Sequence, residues 1–384
     1  MEKKRKLVSI QTIKDIQPIE NADKIEIAVI GGWKIVVRKG EFKKGDNVFY
    51  FEIDSCLPLS DNRFSFLEIH GKTFQNNILY HRLKTIKLRG QISQGLILPL
   101  SIWNNEDGDL EKIKKETNSF EEYFKVVKYE APVKFSGNQK LTNWPEGLPH
   151  TDEERLQSLI EDWNFEDIKK EGNWYATEKI DGCSITMFCL YDPNTNTIQE
   201  PRVCSRNFEL INTEEAPYWK VVREKKITRT LDNGEIYETS LIDYLKEKSN
   251  VAIHDVNFGI CLQGELFGEG IQSNRLEVKG QHIRFYNLLI KTTDGWKQLP
   301  MCDVVRFYPE LEKYWVPIMP EFRLPETVEE AINQPDGIKS HVLEADKTKQ
   351  IEGIVWRLVD KNYGENGNKC SFKCISNKYL LKNE

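Results

Sequence analysis

Over the first hundred residues, apolar and polar positions alternate with a period of two. KIEIAVIGG (24–32), WKIVVRKG (33–40), GDNVFYFEID (45–54) and LKTIKLRGQISQGLILPL (83–100) add β-branched residues and place glycines at the breaks. That pattern predicts short strands of a small closed barrel rather than helices. The text then changes. NNEDGDLEKIKKETNSFEEYF is polar with helix potential, and VKYEAPVKFSGNQKLTNWPEGLPH carries three prolines and little periodicity, which predicts an interdomain connection. T-D-E-E sets Thr151 and Glu154 at capping-box spacing ahead of RLQSLIEDW, a helix start that opens a second domain. Beyond it NWYATEKI, CSITMFCLYD, FGICLQGELFG, HIRFYNLLI, IEGIVWRLVD and KCSFKCI read as antiparallel strands with helices between them. The division expected is a barrel over 1–105, a connection over 106–148 and an α+β domain over 149–384.

Composition narrows the class. With 39% hydrophobic, 11% aromatic and 30% charged residues, the chain can build cores under a wet surface, and its 384 residues exceed one ordinary core. A net charge of -6 excludes a uniformly basic packaging protein, yet 54 Lys+Arg residues leave material for a local basic track. No stretch approaches the roughly 20 continuous apolar residues needed to cross a bilayer. The start, Met-Glu-Lys-Lys-Arg-Lys, runs into strand-like sequence rather than a secretory core. An intracellular protein, cytoplasmic or nuclear, with no membrane contact is expected. The eight cysteines include no C-x-x-C and lie mostly in strand-like hydrophobic sequence, so reduced thiols are expected. The six histidines show no E-x-x-H or Cys pairing, and no structural zinc is expected. No repeat, low-complexity tract, G-x-G-x-x-G or P-loop is present.

The chemistry centres on Glu178-Lys179-Ile180-Asp181-Gly182, a lysine at a strand end followed by a turn. A lysine amine attacks a nucleotide α-phosphate only when unprotonated, so it needs neighbouring cations or a bound metal to depress its pKa. Asp181 would lie close enough to help hold that metal, and Gly182 would let the backbone turn near phosphate. Alone, K-x-D-G is a weak signal, equally an exposed Lys-Asp turn. Downstream, in order, stand Gly264-Glu265-Leu266-Phe267-Gly268, Phe285-Tyr286-Asn287, Glu352-Gly353-Ile354-Val355 and Phe372-Lys373.

This order resembles that of the covalent nucleotidyltransferases, the superfamily of ATP-dependent DNA ligases, RNA ligases and mRNA capping enzymes. YATEKIDGCSITMF is similar to RNA ligases of the editing and nick-sealing type. ADKIEIAVIGGWKIVVRKGEFKKGDNVFYFEIDS, LRGQISQGLILPL and TDEERLQ resemble the manganese-using RNA ligase family with an N-terminal OB domain. The likeness covers nearly the whole chain except 101–125 and 296–345. It implies an N-terminal OB-fold β-barrel followed by an α+β nucleotidyltransferase domain built on antiparallel sheets.

The resemblance further implies ATP and a divalent metal, Mn or Mg, with Lys179 as the adenylylated nucleophile and Lys373 as the catalytic cation on the α-phosphate. Glu178, Arg206, Glu265, Phe285 and Val355 join Lys179 and Lys373 as nucleotide-binding residues. Arg206 would contact the ribose or the RNA end, Glu265 the ribose, and Phe285 and Val355 would sandwich the adenine. Asp181 and Glu352 would hold the metal through water. One position departs from the pattern: Ile375 stands where related ligases carry a second lysine, which leaves Lys369 or Lys378 to supply that cation. No C-terminal OB domain of the DNA-ligase or capping kind is recognised.

The expected activity is sealing of RNA 3′-OH and 5′-phosphate ends, as in RNA repair and on nicked duplexes, by a monomer. Trp33, Lys34, Arg38, Lys87 and Arg89 are the expected barrel contacts to nucleic acid. A DNA ligase or capping guanylyltransferase remains open, as does a non-catalytic RNA-binding protein, since 24–54 and 83–100 also resemble OB domains that bind tRNA.

Overall fold

A computed structural model describes residues 6–75, 77–103, 110–117, 119–130, 141–160, 163–214, 216–249, 258–359 and 371–383. They form two compact units. One comprises Met1–Pro132 with Leu156–Trp163 and Asn377–Glu384, the other Val133–Arg155 with Asn164–Ser376.

In the first unit Val8–Thr12 and Leu96–Pro99 flank Asn47–Phe51, and Asp15–Pro18, Ile25–Ile30 and Trp33–Arg38 form a second antiparallel sheet. The central strand Asn47–Phe51 is buried on both faces, and period two sorts its side chains. Val48 and Tyr50 pack with Ala28, Ile30, Trp33 and Ile35, while Phe49 and Phe51 pack with Leu57, Phe64, Trp103 and Phe124. Two-residue turns close the hairpins. Gly31-Gly32 joins Ile30 to Trp33, and Arg89-Gly90 joins Leu88 to Gln91 with φ of 48° and 84°, the pair of left-handed residues that matches strand twist. Within the described residues, the stretch read as a connection is partly folded. Leu110–Glu116 and Phe120–Phe124 are helices, and Ile113 and Phe124 close the aromatic core.

In the second unit the main antiparallel sheet runs in the order Leu141–Asn143, Phe208–Leu210, Arg202–Cys204, Cys183–Asp192, Gly259–Gly268, Gln281–Thr292, Gly295–Gln298. Helices Pro217–Glu224 and Leu241–Lys248 cover it with Tyr218, Trp219, Tyr244 and Leu245. A three-stranded sheet joins Trp174–Lys179, Gly353–Leu358 and Ser371–Ile375.

The capping box expected at Thr151 does not form. Residues 151–154 are irregular, and the Thr151 hydroxyl lies 3.2 Å from that of Ser184. A complete capping box instead starts the helix Val328–Asn333, on Thr327 and Glu330. No described helix is long and apolar enough to cross a membrane.

Candidate active site

The register of the three-stranded sheet assembles one face of the site. Lys179 lies opposite Gly353 and that glycine opposite Ile375; Thr177, Val355 and Lys373 form the next row; Tyr175, Arg357 and Ser371 the third. Because alternate residues share a face, residues far apart in sequence become neighbours. Gly353 has to lack a side chain, since a Cβ there would sit 2.4 Å from the Cys374 carbonyl oxygen. The Lys373 amide donates to the Glu154 carbonyl at 2.8 Å, and Arg155 bridges the same residue. Ile375 is buried on this face, at the position expected of a second cation. Lys378 lies on the helix Asn377–Asn383 of the first unit, and Lys369, like Cys370 and His254, falls outside the described residues.

Lys179 Nζ donates to Glu352 Oε2 at 2.7 Å. Burial alone pushes the amine down, but the carboxylates of Glu352, Glu265 and Asp181 outweigh it and hold Lys179 above the usual lysine range. Glu265 responds in kind: burial first, then Glu352 and Asp181 against the pull of Lys179, push it up to about 8. Glu352 is raised by burial, with Lys179 opposing and Asp181 adding to the rise. Such crowding of hard oxygen donors around one amine suits a divalent cation. Asp181 Oδ2 supports that fit, being buried and receiving no hydrogen bond. Among the described residues no three His, Cys, Asp or Glu converge to ligate a metal directly, so a cation there would be held largely through water.

Gly182 is needed for closeness, not for a left-handed turn. Its φ is not positive, while a Cβ would stand 2.3 Å from the Leu266 carbonyl oxygen and 2.9 Å from Glu265 Cγ. The glycine thus lets the turn after the nucleophile lie directly on the strand that carries Glu265.

Several expected residues are placed differently. Glu178 points to the opposite face of the sheet from Lys179. Its buried carboxylate accepts from the Ser340 hydroxyl at 2.7 Å and the His341 amide at 2.6 Å, so its side chain is committed away from the face that carries Lys179. Phe285 is fully buried in the main core beside Tyr314 and cannot stack a base. The cause is a register shift: Gln263 pairs with Asn287 but Gly264 with Phe285, leaving Tyr286 as an extra residue. Half-buried Tyr286 faces Arg357, whose guanidinium lies 5.5 Å from its ring centroid. Its hydroxyl is raised by burial and then by Glu265, against the hydroxyls of Thr151 and Ser184. Trp33 is fully buried against Tyr50 in the barrel core, so no base can stack on it. Lys34, Arg38, Lys87 and Arg89 keep surface exposure, and the two elements carrying them are joined by the Val36 amide donating to Ser93 Oγ at 3.0 Å.

Residues without a motif also enter the site. Arg357 donates to Thr177 Oγ1 at 2.8 Å and to Glu153 Oε1 at 3.1 Å. Exposed Arg206 pairs with Asp152 at 2.7 Å and acts on Glu265. For Arg357, only its even spacing from Val355 could have flagged it as sharing the sheet face of Lys179.

Residues 172–375, more than half of the chain, match the RNA ligase family model, and residues 7–100 match an OB-fold domain model. Among solved structures the chain is similar to the RNA ligase of Naegleria gruberi. Its complex with pyrophosphate is 29% identical with TM-score 0.76, covering 99% of each chain. A variant of that enzyme with ATP and Mn is 28% identical, and another with AMP and Mn 29% identical, each with TM-score 0.76 and covering 98% of both chains. None of the curated proteins matches the chain.

Proposed function

Because the chain belongs to the RNA ligase family, we propose that its site seals RNA 3′-OH and 5′-phosphate ends, at nicks in duplexes, through a Lys179–AMP intermediate. It is an ATP-dependent enzyme that takes a divalent metal, manganese or magnesium. The observation that carries the reading is the single face shared by Lys179, Val355 and Lys373, with Glu352 2.7 Å from the amine.

In the first step the unprotonated Lys179 Nζ attacks the α-phosphorus; a P–N bond forms and the bond to the pyrophosphate oxygen breaks. An oxygen of the RNA 5′-phosphate then takes the AMP from Lys179, and finally the 3′-OH attacks that 5′-phosphorus and expels AMP. Lys373 offsets the charge that grows on the α-phosphate. Asp181 and Glu352 would hold the hydrated cation, which supplies charge compensation at phosphorus and disfavours the ammonium form of the lysine. Glu265, with its raised pKa, suits hydrogen bonding to a ribose hydroxyl, and Arg206 suits the ribose or the RNA end. Incubation with α-labelled ATP followed by denaturing electrophoresis tests the first step; a chain that acquires no acid-labile label would refute it.

Val355 and Tyr286, rather than Phe285, flank the adenine in this reading. Tyr286→Ala is then expected to raise the ATP concentration needed for half-maximal lysyl-AMP formation about tenfold, the effect of removing roughly one stacking interaction. Phe285→Ala should act instead on stability, by about 3–5 kcal/mol. Titrations of labelling and thermal melts of both variants separate the two positions, and the reverse pattern would reassign the base to Phe285.

The OB-fold unit, with the boundary near residue 105 and the catalytic domain from 149, serves as the RNA-gripping part in this proposal. Its agents are Lys34, Arg38, Lys87 and Arg89, placed on the Trp33–Arg38 strand and the 85–94 hairpin. Removing one cation that neutralises a phosphate should reduce the slope of log affinity against log salt by about 0.7–0.9. Lys87→Ala/Arg89→Ala should therefore bind nicked RNA more weakly, with a slope lower by nearly two; an unaltered slope would remove the hairpin from the RNA-binding surface. Monomeric enzyme is expected to suffice for sealing.

A further inference from the structure

Residues 268–280, which follow the strand bearing Glu265, adopt a conformation their side chains disfavour. Gln272 and Glu277 have φ of 47° and 51°, in the left-handed region that such residues seldom occupy, and Asn274, which adopts it more readily, has φ of 42°. Local bonds over-determine the loop. Glu269 N–H donates to the Gly280 carbonyl, Glu277 N–H to that of Asn274, and the Asn274 amide group both donates to the Val278 carbonyl and accepts from its N–H. Strain retained in this way concentrates where a site demands particular geometry.

What the loop holds is the turn after the nucleophile. Leu276 and Val278 pack with Ile180, and Gln272 Nε2 donates to Cys183 Sγ at 3.3 Å. Between them Arg275 Nη1 lies 3.4 Å from Asp181 Oδ2. That oxygen is buried and receives no hydrogen bond, so the guanidinium compensates its charge by proximity alone. Arginine keeps its charge at any pH the protein meets.

We propose that Arg275 is a positioning residue that stands in for the divalent cation at Asp181 in the metal-free enzyme and yields the carboxylate when metal binds. This rests on the reading of Asp181 as a metal-holding carboxylate. Arg275 thereby sets the metal concentration at which the site fills. The pair is about a third exposed on the arginine side, and pairs of that kind shift an equilibrium by up to about fivefold.

Manganese binding to the nucleotide-free full chain, followed by the electron paramagnetic resonance signal of free Mn(II), provides the test. Arg275→Ala is expected to tighten binding about two- to fivefold, and Arg275→Lys, which keeps a cation, to stay near wild type. Asp181→Asn should weaken binding and cancel any gain from Arg275→Ala in the double variant. A merely structural role would lower the melting temperature without tightening the metal. If Arg275→Ala does not fold, Arg275→Gln supplies the same comparison. Unchanged or weaker binding on loss of Arg275, with Asp181→Asn still weakening it, overturns the proposal alone. Binding indifferent to Asp181→Asn overturns the metal role of Asp181 and the proposal with it.

Discussion

Lys179→Ala is expected to abolish covalent AMP labelling and the sealing of RNA that carries a plain 5′-phosphate. An alanine has no group that can form the P–N bond, and the other residues of this face cannot substitute for it. Glu352 and Asp181 are carboxylates, Val355 is apolar, and Lys373 sits one row further along the face on a different strand. The loss should reach the background of the labelling assay. Sealing of RNA that already bears a 5′-adenylate should survive in part, because that substrate enters after the step in which the amine is the nucleophile. Rapid quench measurement with both substrates separates the steps. Robust sealing of unadenylylated RNA by the variant would discard the lysyl-AMP mechanism.

Much of this arrangement was legible in the chain. Strands half-buried in a barrel keep period two, so Ile25–Ile30, Trp33–Arg38 and the strands of 85–99 coincide with the alternating text, while Asn47–Phe51, buried on both faces, reads as a continuous apolar run. Ser55–Pro58 is buried at every position and therefore shows no alternation to read. The same alternation corrects Trp33: it falls in phase with buried Ile35 and Val37, whereas Lys34 and Arg38 fall out of phase. Tyr286 was missed for a different reason. The bulge opposite Gln263 and Gly264 adds one residue to its strand, and counting by twos across a bulge reverses every assignment beyond it. Arg357 and Glu153 carry no motif, since their pairing joins segments 204 residues apart.

The thiols were placed by their strand-like hydrophobic company. Cys183, Cys189, Cys204, Cys261 and Cys374 are free and buried within the second unit. Burial pushes the Cys183 thiol up to about 11, so it is not a nucleophile at neutral pH despite standing four residues after Lys179.

The carboxylate beside that amine makes opposite demands on the two steps of its activation, and Glu352→Gln exposes them. In the metal-free protein Glu352 is the nearest anion to Lys179 and, with Glu265 and Asp181, raises its pKa against the effect of burial. A raised pKa keeps the ammonium, the unreactive form, to higher pH. Glutamine removes one negative charge, so the amine should lose its proton at lower pH than in wild type. Were protonation the whole story, the variant would label faster at neutral pH. Glu352 is also a proposed holder of the hydrated cation, and loss of such a water-mediated partner costs about 10- to 100-fold in metal affinity or activity. The expected result is therefore a split. Modification of Lys179 by an amine-reactive reagent in metal-free buffer, followed by mass spectrometry, should shift its inflection to lower pH. Single-turnover lysyl-AMP formation should nevertheless slow by about 10- to 100-fold and need more manganese for half-maximal rate. If both profiles matched wild type, Glu352 would be no more than a hydrogen-bond neighbour of Lys179.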